Sequence, residues 1–270
     1  MHHFQLLFAG VLVPLTMLGG CAGTPAAPTT AEKSELAPTG TLRVAVFTGN
    51  PVIGTKDQAS GELRGTTVAL GRALAAQSGV PATLIEYTSV AKMVEDARAG
   101  AWDIAVVAFD PGRLGVLDFA PPHLSVDLTY LVAPGSGIKS VAEADSKGVN
   151  IAAARGAATT LYLERMLKQA TVMPAENEPA AFKLVKEGRA QALAQNRYML
   201  LGLARDLPGA RVLEDRFSSA EMCIVLPKGR PAALEYVGAF VRQARQTGLV
   251  AQAIADAGLR GVVVAQGPAQ

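Results

Sequence analysis

Asp103-Ile104-Ala105-Val106-Val107-Ala108 is one acid followed by five apolar residues, the composition of a strand buried on both faces. Segments of the same kind recur upstream, with helical patterns between them. Leu42-Arg43-Val44-Ala45-Val46-Phe47 reads as a strand. Thr66 to Ser78 places Val68, Leu70, Ala73 and Leu74 inward on a helix and stops at Gly79, a C-terminal cap. Ala82-Thr83-Leu84-Ile85-Glu86 is a second strand, and Ser89 caps a helix over Val90–Ala99 that Gly100 closes. Strand–helix repeats of this length imply parallel strands, right-handed crossovers and helices on both faces of the sheet.

Downstream, Leu128 to Ala133 is a further apolar strand, followed by the loop Pro134-Gly135-Ser136-Gly137. A second series then begins: strand Val149–Ala153, helix Thr159–Gln169, a short strand near Thr171-Val172, helix Pro179–Glu187 and strand Ala190–Ala194. Arg211-Val212-Leu213 can pair at an edge. The chain ends with the strand Met222–Leu226 and helices over about Pro231–Thr247 and Leu249–Ala257. A late strand with terminal helices left over suggests a return to the first lobe. The expected fold is α/β, with two helix-flanked lobes joined by crossing strands near Thr129–Val132 and Cys223–Leu226. On this reading residues 41–128 form the first part of lobe 1. Residues 129–224 hold the hinge strand and lobe 2, and residues 225–270 the second hinge strand and the return.

The N-terminal part is of another kind. Leu18-Gly19-Gly20-Cys21 follows an apolar run from Phe4 and precedes a Pro/Ala/Thr-rich stretch. Two small residues and a cysteine ending a short hydrophobic segment resemble the lipobox of bacterial lipoproteins. That resemblance implies a signal peptide over residues 1–20, a lipid on Cys21 and cleavage before it. An uncleaved anchor is the alternative, but Phe4–Leu18 is about 15 residues where a span needs about 20, and Pro14 interrupts it. A plain secreted protein is the other. The n-region, Met1-His2-His3, carries no Lys or Arg. Residues 21–40 read as a flexible tether, reaching on the order of 25 Å on average.

Composition removes several chemistries. The chain has 270 residues, 25 Lys+Arg against 23 Asp+Glu, and no basic run, so nothing points to nucleic acid. Two of the three histidines precede Cys21, which leaves His123 alone to serve a zinc site or a Ser-His-Asp triad. Cys223 stands inside Met222-Cys223-Ile224-Val225-Leu226, where a cysteine acts as a small core hydrophobe.

From Thr41 to about Val264 the chain resembles the extracellular solute-binding proteins of ABC importers, family 3, in the branch that mostly binds polar amino acids. Gly40-Thr41-Leu42-Arg43-Val44-Ala45 is similar to the family's opening strand, and Gly61-Glu62-Leu63-Arg64-Gly65 to its "G-x-L-x-G" turn. Gly100-Ala101-Trp102-Asp103-Ile104 and Asp110-Pro111-Gly112-Arg113 correspond to "G-x-x-D" and "T-x-x-R". Asp118-Phe119-Ala120-Pro121-Pro122-His123 resembles "D-F-S-x-P-Y", and Pro227-Lys228-Gly229 the late "K-G". The resemblance implies a two-lobe, type II periplasmic-binding-protein-like fold that closes on a ligand. It also implies an ABC permease in the inner membrane as partner, no cofactor, no metal, no catalytic residue and a monomer. The place would be the periplasm, lipid-anchored to the cell envelope.

Arg113 heads the candidate ligand residues. It lies just past a buried strand, where ligands collect in α/β sheets, and a guanidinium grips a carboxylate by two parallel bonds. The structural alternative is an ion pair with Asp110 or Asp118. Phe47 and Asn50, after the first strand, stand where family members often place ligand contacts. Phe109 lines the cleft or belongs to the core. On the second lobe, Arg155-Gly156-Ala157-Ala158-Thr159-Thr160 opens a helix whose amides favour an anion. Thr159 and Thr160 are candidates for the cap and for ligand contact. The chain departs from the family pattern at Asp110, which replaces a Thr, at Thr67 and Ala69, and at Gln195-Asn196. The last pair stands where many members hold an ammonium with an acid. Asp110 or Asp127 is then the source of the missing negative charge. The expected ligand is a small polar solute with a carboxylate. An enzyme resembling cyclohexadienyl dehydratases, using Glu164, Glu176 or Glu221 as acid or base, is the second reading, and a ligand sensor the third.

Overall fold

The computed structural model describes Met1, residues 27–155 and residues 158–267; Cys21, the rest of segment 2–26, and Ala157 lie outside the described residues. Helix α1 (Thr30–Leu36) starts at a capping box. The Thr29 hydroxyl accepts from Glu32 N, and the Glu32 carboxylate accepts from Thr29 N at 2.6 Å. Leu36 and Ala37 are buried. Residues 30–37 were expected in the tether; the structure corrects this, because the cap and the buried Leu36 fold them onto the body.

Strand β1 (Leu42–Phe47) leads through the hairpin β2 (Thr55–Lys56) and β3 (Leu63–Arg64) into α2 (Thr66–Ser78). Gly79 closes α2 at φ 64°, a left-handed conformation that glycine adopts without strain. Strand β4 (Ala82–Tyr87), α3 (Val90–Ala97), capped by Ser89, and β5 (Ile104–Ala108) complete the series. β1 lies between β4 and β5, parallel to both. Asp103, ahead of β5, is fully buried. Its carboxylate accepts from Arg43 Nη2 at 2.7 Å, Arg43 Nε at 2.9 Å and Arg230 Nη1 at 2.9 Å.

Strand β6 (Leu117–Val132) is 16 residues long. It starts eleven residues earlier than the reading from Leu128 and runs through Pro121-Pro122. The ladder absorbs the prolines with register shifts: Cys223 faces Pro122 and Val225 faces Phe119. After α4 (Val141–Ala144) come β7 (Asn150–Ala154), α5 (Ala158–Met166), β8 (Thr171–Ala175), α6 (Glu178–Lys186) and β9 (Ala192–Asn196). Then follow α7 (Arg197–Leu203), β10 (Arg211–Val212), β11 (Ser218–Pro227), α8 (Pro231–Gln246), α9 (Leu249–Asp256) and β12 (Val262–Val264). The order β4-β1-β5-β11-β6-β9-β7-β8 is one path, with β10 and β12 on β6.

Two α/β halves share that path. Around the first half, Val44 and Val46 pack with Leu74, Phe240 and Ile254 on one face. On the other face Ala45, Ala105 and Val107 pack with Met93 and Trp102. In the second half, Tyr130, Val132 and Ile151 meet Leu163 on one face, and Leu131, Ala152 and Leu193 meet Phe182 and Leu200 on the other. Adjacent strand residues alternate between faces, so each half is a sheet covered on both sides. Cys223 is fully buried between β5 and β6, and burial pushes its thiol up to about 12.

Candidate functional site

The register of β6 locates the gap between the halves. Ala108, the last residue of β5, pairs with Met222, which faces Leu124. Asn196, the last residue of β9, pairs with Leu128. β5 and β9 run in opposite directions, with β11 and β6 between them, and their C-terminal ends face each other four residues apart along β6, about 13 Å in the strand direction. Loops after parallel strands are where ligands bind in α/β sheets.

On the first half, Asp110 Oδ1 accepts from Gly112 N at 2.8 Å and caps the turn Pro111–Arg113. That turn sends the half-buried Arg113 back to the strand end, where Nη1 donates to Ala108 O at 3.1 Å. Among the described residues Arg113 makes no ion pair. Asp118 pairs with Lys228 at 3.7 Å and accepts from Gly229 N. The Phe47 ring folds over its own turn: a Cβ on Gly49 would stand 2.4 Å from the ring Cζ. Asn50 Oδ1 accepts from Val52 N at 3.0 Å, a local turn bond. Phe109 packs edge-to-face on Phe119 at 5.2 Å, among the core residues of that face.

On the second half, the Thr160 hydroxyl donates to Ala154 O at 2.5 Å, tying the start of α5 to the end of β7. Thr159 is buried beside it. Asn196 Oδ1 accepts from Met199 N at 2.9 Å and caps α7. Gln195 points to the other face. Its Nε2 donates to Glu178 Oε1 at 2.5 Å, and its Oε1 accepts from Asn196 N.

Asp127 stands in the passage between the halves, and two arginines occupy it: Arg197 Nε at 3.3 Å and Arg216 Nη1 at 2.8 Å. Arg197 also donates to Leu213 O at 2.6 Å and Glu214 O at 2.8 Å. Asp127 is therefore neutralised, and Asp110 serves as a turn cap. Sequence reading missed Arg197 and Glu178; each works through partners distant in the chain, with no local motif to flag it. Among the described residues no helix is long and apolar enough to cross a membrane.

Comparisons with known proteins agree with this geometry. The family model described as bacterial extracellular solute-binding proteins, family 3, matches residues 42–256. The ABC transporter glutamine-binding protein GlnH of Bacillus subtilis (strain 168) is 25% identical over 208 residues, covering 75% of this chain and 76% of that protein. The glutamine-binding protein of Geobacillus stearothermophilus is 25% identical over 227 residues, covering 77% and 85%. Among solved structures, an ancestral amino acid-binding protein described as a precursor of cyclohexadienyl dehydratase superposes with a TM-score of 0.67. It is 24% identical and covers 83% of this chain and 97% of its own. An amino acid ABC transporter substrate-binding protein from Streptococcus pneumoniae, bound to L-arginine, gives a TM-score of 0.67 at 19% identity, with coverage of 86% and 100%. The strand order, the two confronted strand ends and the match over most of the chain lead to one conclusion: this chain belongs to the bacterial extracellular solute-binding proteins, family 3.

Proposed function

We propose that this protein captures an amino acid or a derivative bearing a carboxylate in the gap between its halves and hands it to an ABC permease. The observation that carries the reading is Arg113. Its guanidinium sits at the end of β5, and neither Asp110 nor Asp118, the acids nearest in sequence, pairs with it. A guanidinium facing a gap without a carboxylate of its own is suited to a ligand's carboxylate. Helix α5 begins on the other half past the end of β7, and the first-turn amides of a helix favour the same charge. The glutamine-binding relatives and the L-arginine-bound structure support an α-amino acid as the class. Of the three acids considered for catalysis, Glu164 and Glu176 are exposed, and Glu221 lies within the β11 ladder. A thermal-shift panel of amino acids, opines and organic acids tests the reading. A rise in Tm with at least one amino acid is expected, and no rise with any member of the panel would refute it.

The reading includes a lipid on Cys21 that holds the protein outside the cytoplasm. Cys21→Ala should move the protein from the membrane fraction to the soluble extracytoplasmic fraction on cell fractionation. Retention of the variant in membranes would count against a lipid at this cysteine.

A further inference from the structure

On the outer face of the second half, α6 and α7 diverge over the sheet and leave a slot of about 610 Å³. Leu193 forms its floor, and Phe182, Met199 and Leu203 line its walls. Such a volume, mostly apolar with a few polar groups at its ends, is typical of small-molecule sites. At the end nearest the β9 terminus stands the hydrogen-bonded pair of Glu178 and Gln195. Among the described residues no cation pairs with Glu178, nor with Asp206 at the opposite end. The basic rim residues are engaged: Lys183 reaches Glu187 at 3.6 Å, and Lys186 lies over the Phe182 ring, 5.5 Å from its centroid.

We propose that this slot is a second small-molecule site, separate from the gap, and that it takes an organic amine with an apolar body. The body lies against Phe182, Leu193 and Met199, and the ammonium meets the Glu178 carboxylate. The Gln195 amide already donates one bond to that carboxylate, whose remaining lone pairs can accept the ammonium protons. An anion in the same place would face the unpaired Glu178 carboxylate, which favours an amine over an acid at that end of the slot. The slot does not share the Arg113 grip. Gln195 lies on the Leu193 face of β9, and Arg113 belongs to the other half.

Calorimetry on the full chain with 2-phenylethylamine, and with 3-phenylpropanoate as matched anion, tests this. Saturable binding of the amine and none of the anion is expected. Glu178→Gln should weaken the amine by about twofold to fivefold, the modest loss suited to a solvent-exposed ion pair. Met199→Trp, from a half-buried position, should partly fill the slot and weaken binding; Leu203→Phe adds bulk one turn further along the same wall and guards against a folding defect in the first variant. Arg113→Ala should leave amine affinity unchanged. The proposal fails if the wild type shows no saturable amine binding or if both filling variants bind as it does. It fails too if Arg113→Ala removes binding, which would place the amine in the gap.

Discussion

Replacing Arg113 by alanine is expected to weaken binding of the amino acid ligand by about 2–5 kcal/mol, roughly thirty-fold to several thousand-fold. The size follows from what remains after truncation. A carboxylate drawn out of water between the closing halves would lose its bidentate partner and stay desolvated. Arg113→Lys keeps the charge but loses the planar fork, and should recover only part of the loss. The measurement is a calorimetric titration with whichever amino acid raises Tm most in the panel. Thermal melts of the free variants should change little, because Arg113 makes one hydrogen bond to Ala108 O and no ion pair among the described residues. Equal affinity in wild type and Arg113→Ala would remove this residue from the site.

The second large effect concerns acid. His123 is fully buried on β6, and neither ring nitrogen has a hydrogen-bond partner among the described residues. Burial disfavours the imidazolium and pushes its pKa down to about 3, against 6.5 for an exposed histidine. Between these values the unfolded chain binds the proton and the folded chain does not, so stability rises with pH. The contribution is fully present above about pH 6.5 and is lost as pH falls toward 3, up to about 5 kcal/mol in all. In urea titrations at pH 7 and pH 4, wild type should lose about 3 kcal/mol more than His123→Leu between the two. Asp57, Asp96 and Asp145, all held below the usual carboxylate range by hydrogen bonds, are present in both proteins and drop out of the comparison. Parallel pH profiles would show that the site accepts the proton after all.

Much of the fold was legible because its signals are local. The boundaries of β1 and α2 follow from apolar periodicity, and those of α3 from the Ser89 cap. What escaped depends on partners far along the chain. Pro121-Pro122 joins a strand because β11 supplies a ladder that shifts register to admit it. Helix α7 escaped because its cap is Asn196, which was weighed as a ligand contact. Helix α1 was hidden in a tether-like composition, although Thr29 and Glu32 already spelled a capping box. The candidate site divides in the same way. Arg113 could be placed from its position after a strand. The engagement of Asp127 by Arg197, 70 positions away, could not. The pairing of Glu178 with Gln195 likewise required knowing that α6 starts beside the end of β9.

Helix α1 has a mechanical consequence. The Glu35 carboxylate accepts from Ala233 N, the first turn of α8, and Arg230 donates to the Glu35 carbonyl while also holding Asp103. A pull on the N-terminus is therefore taken up first by α8 and by the buried Asp103 ahead of β5. The chain is moored through its first half.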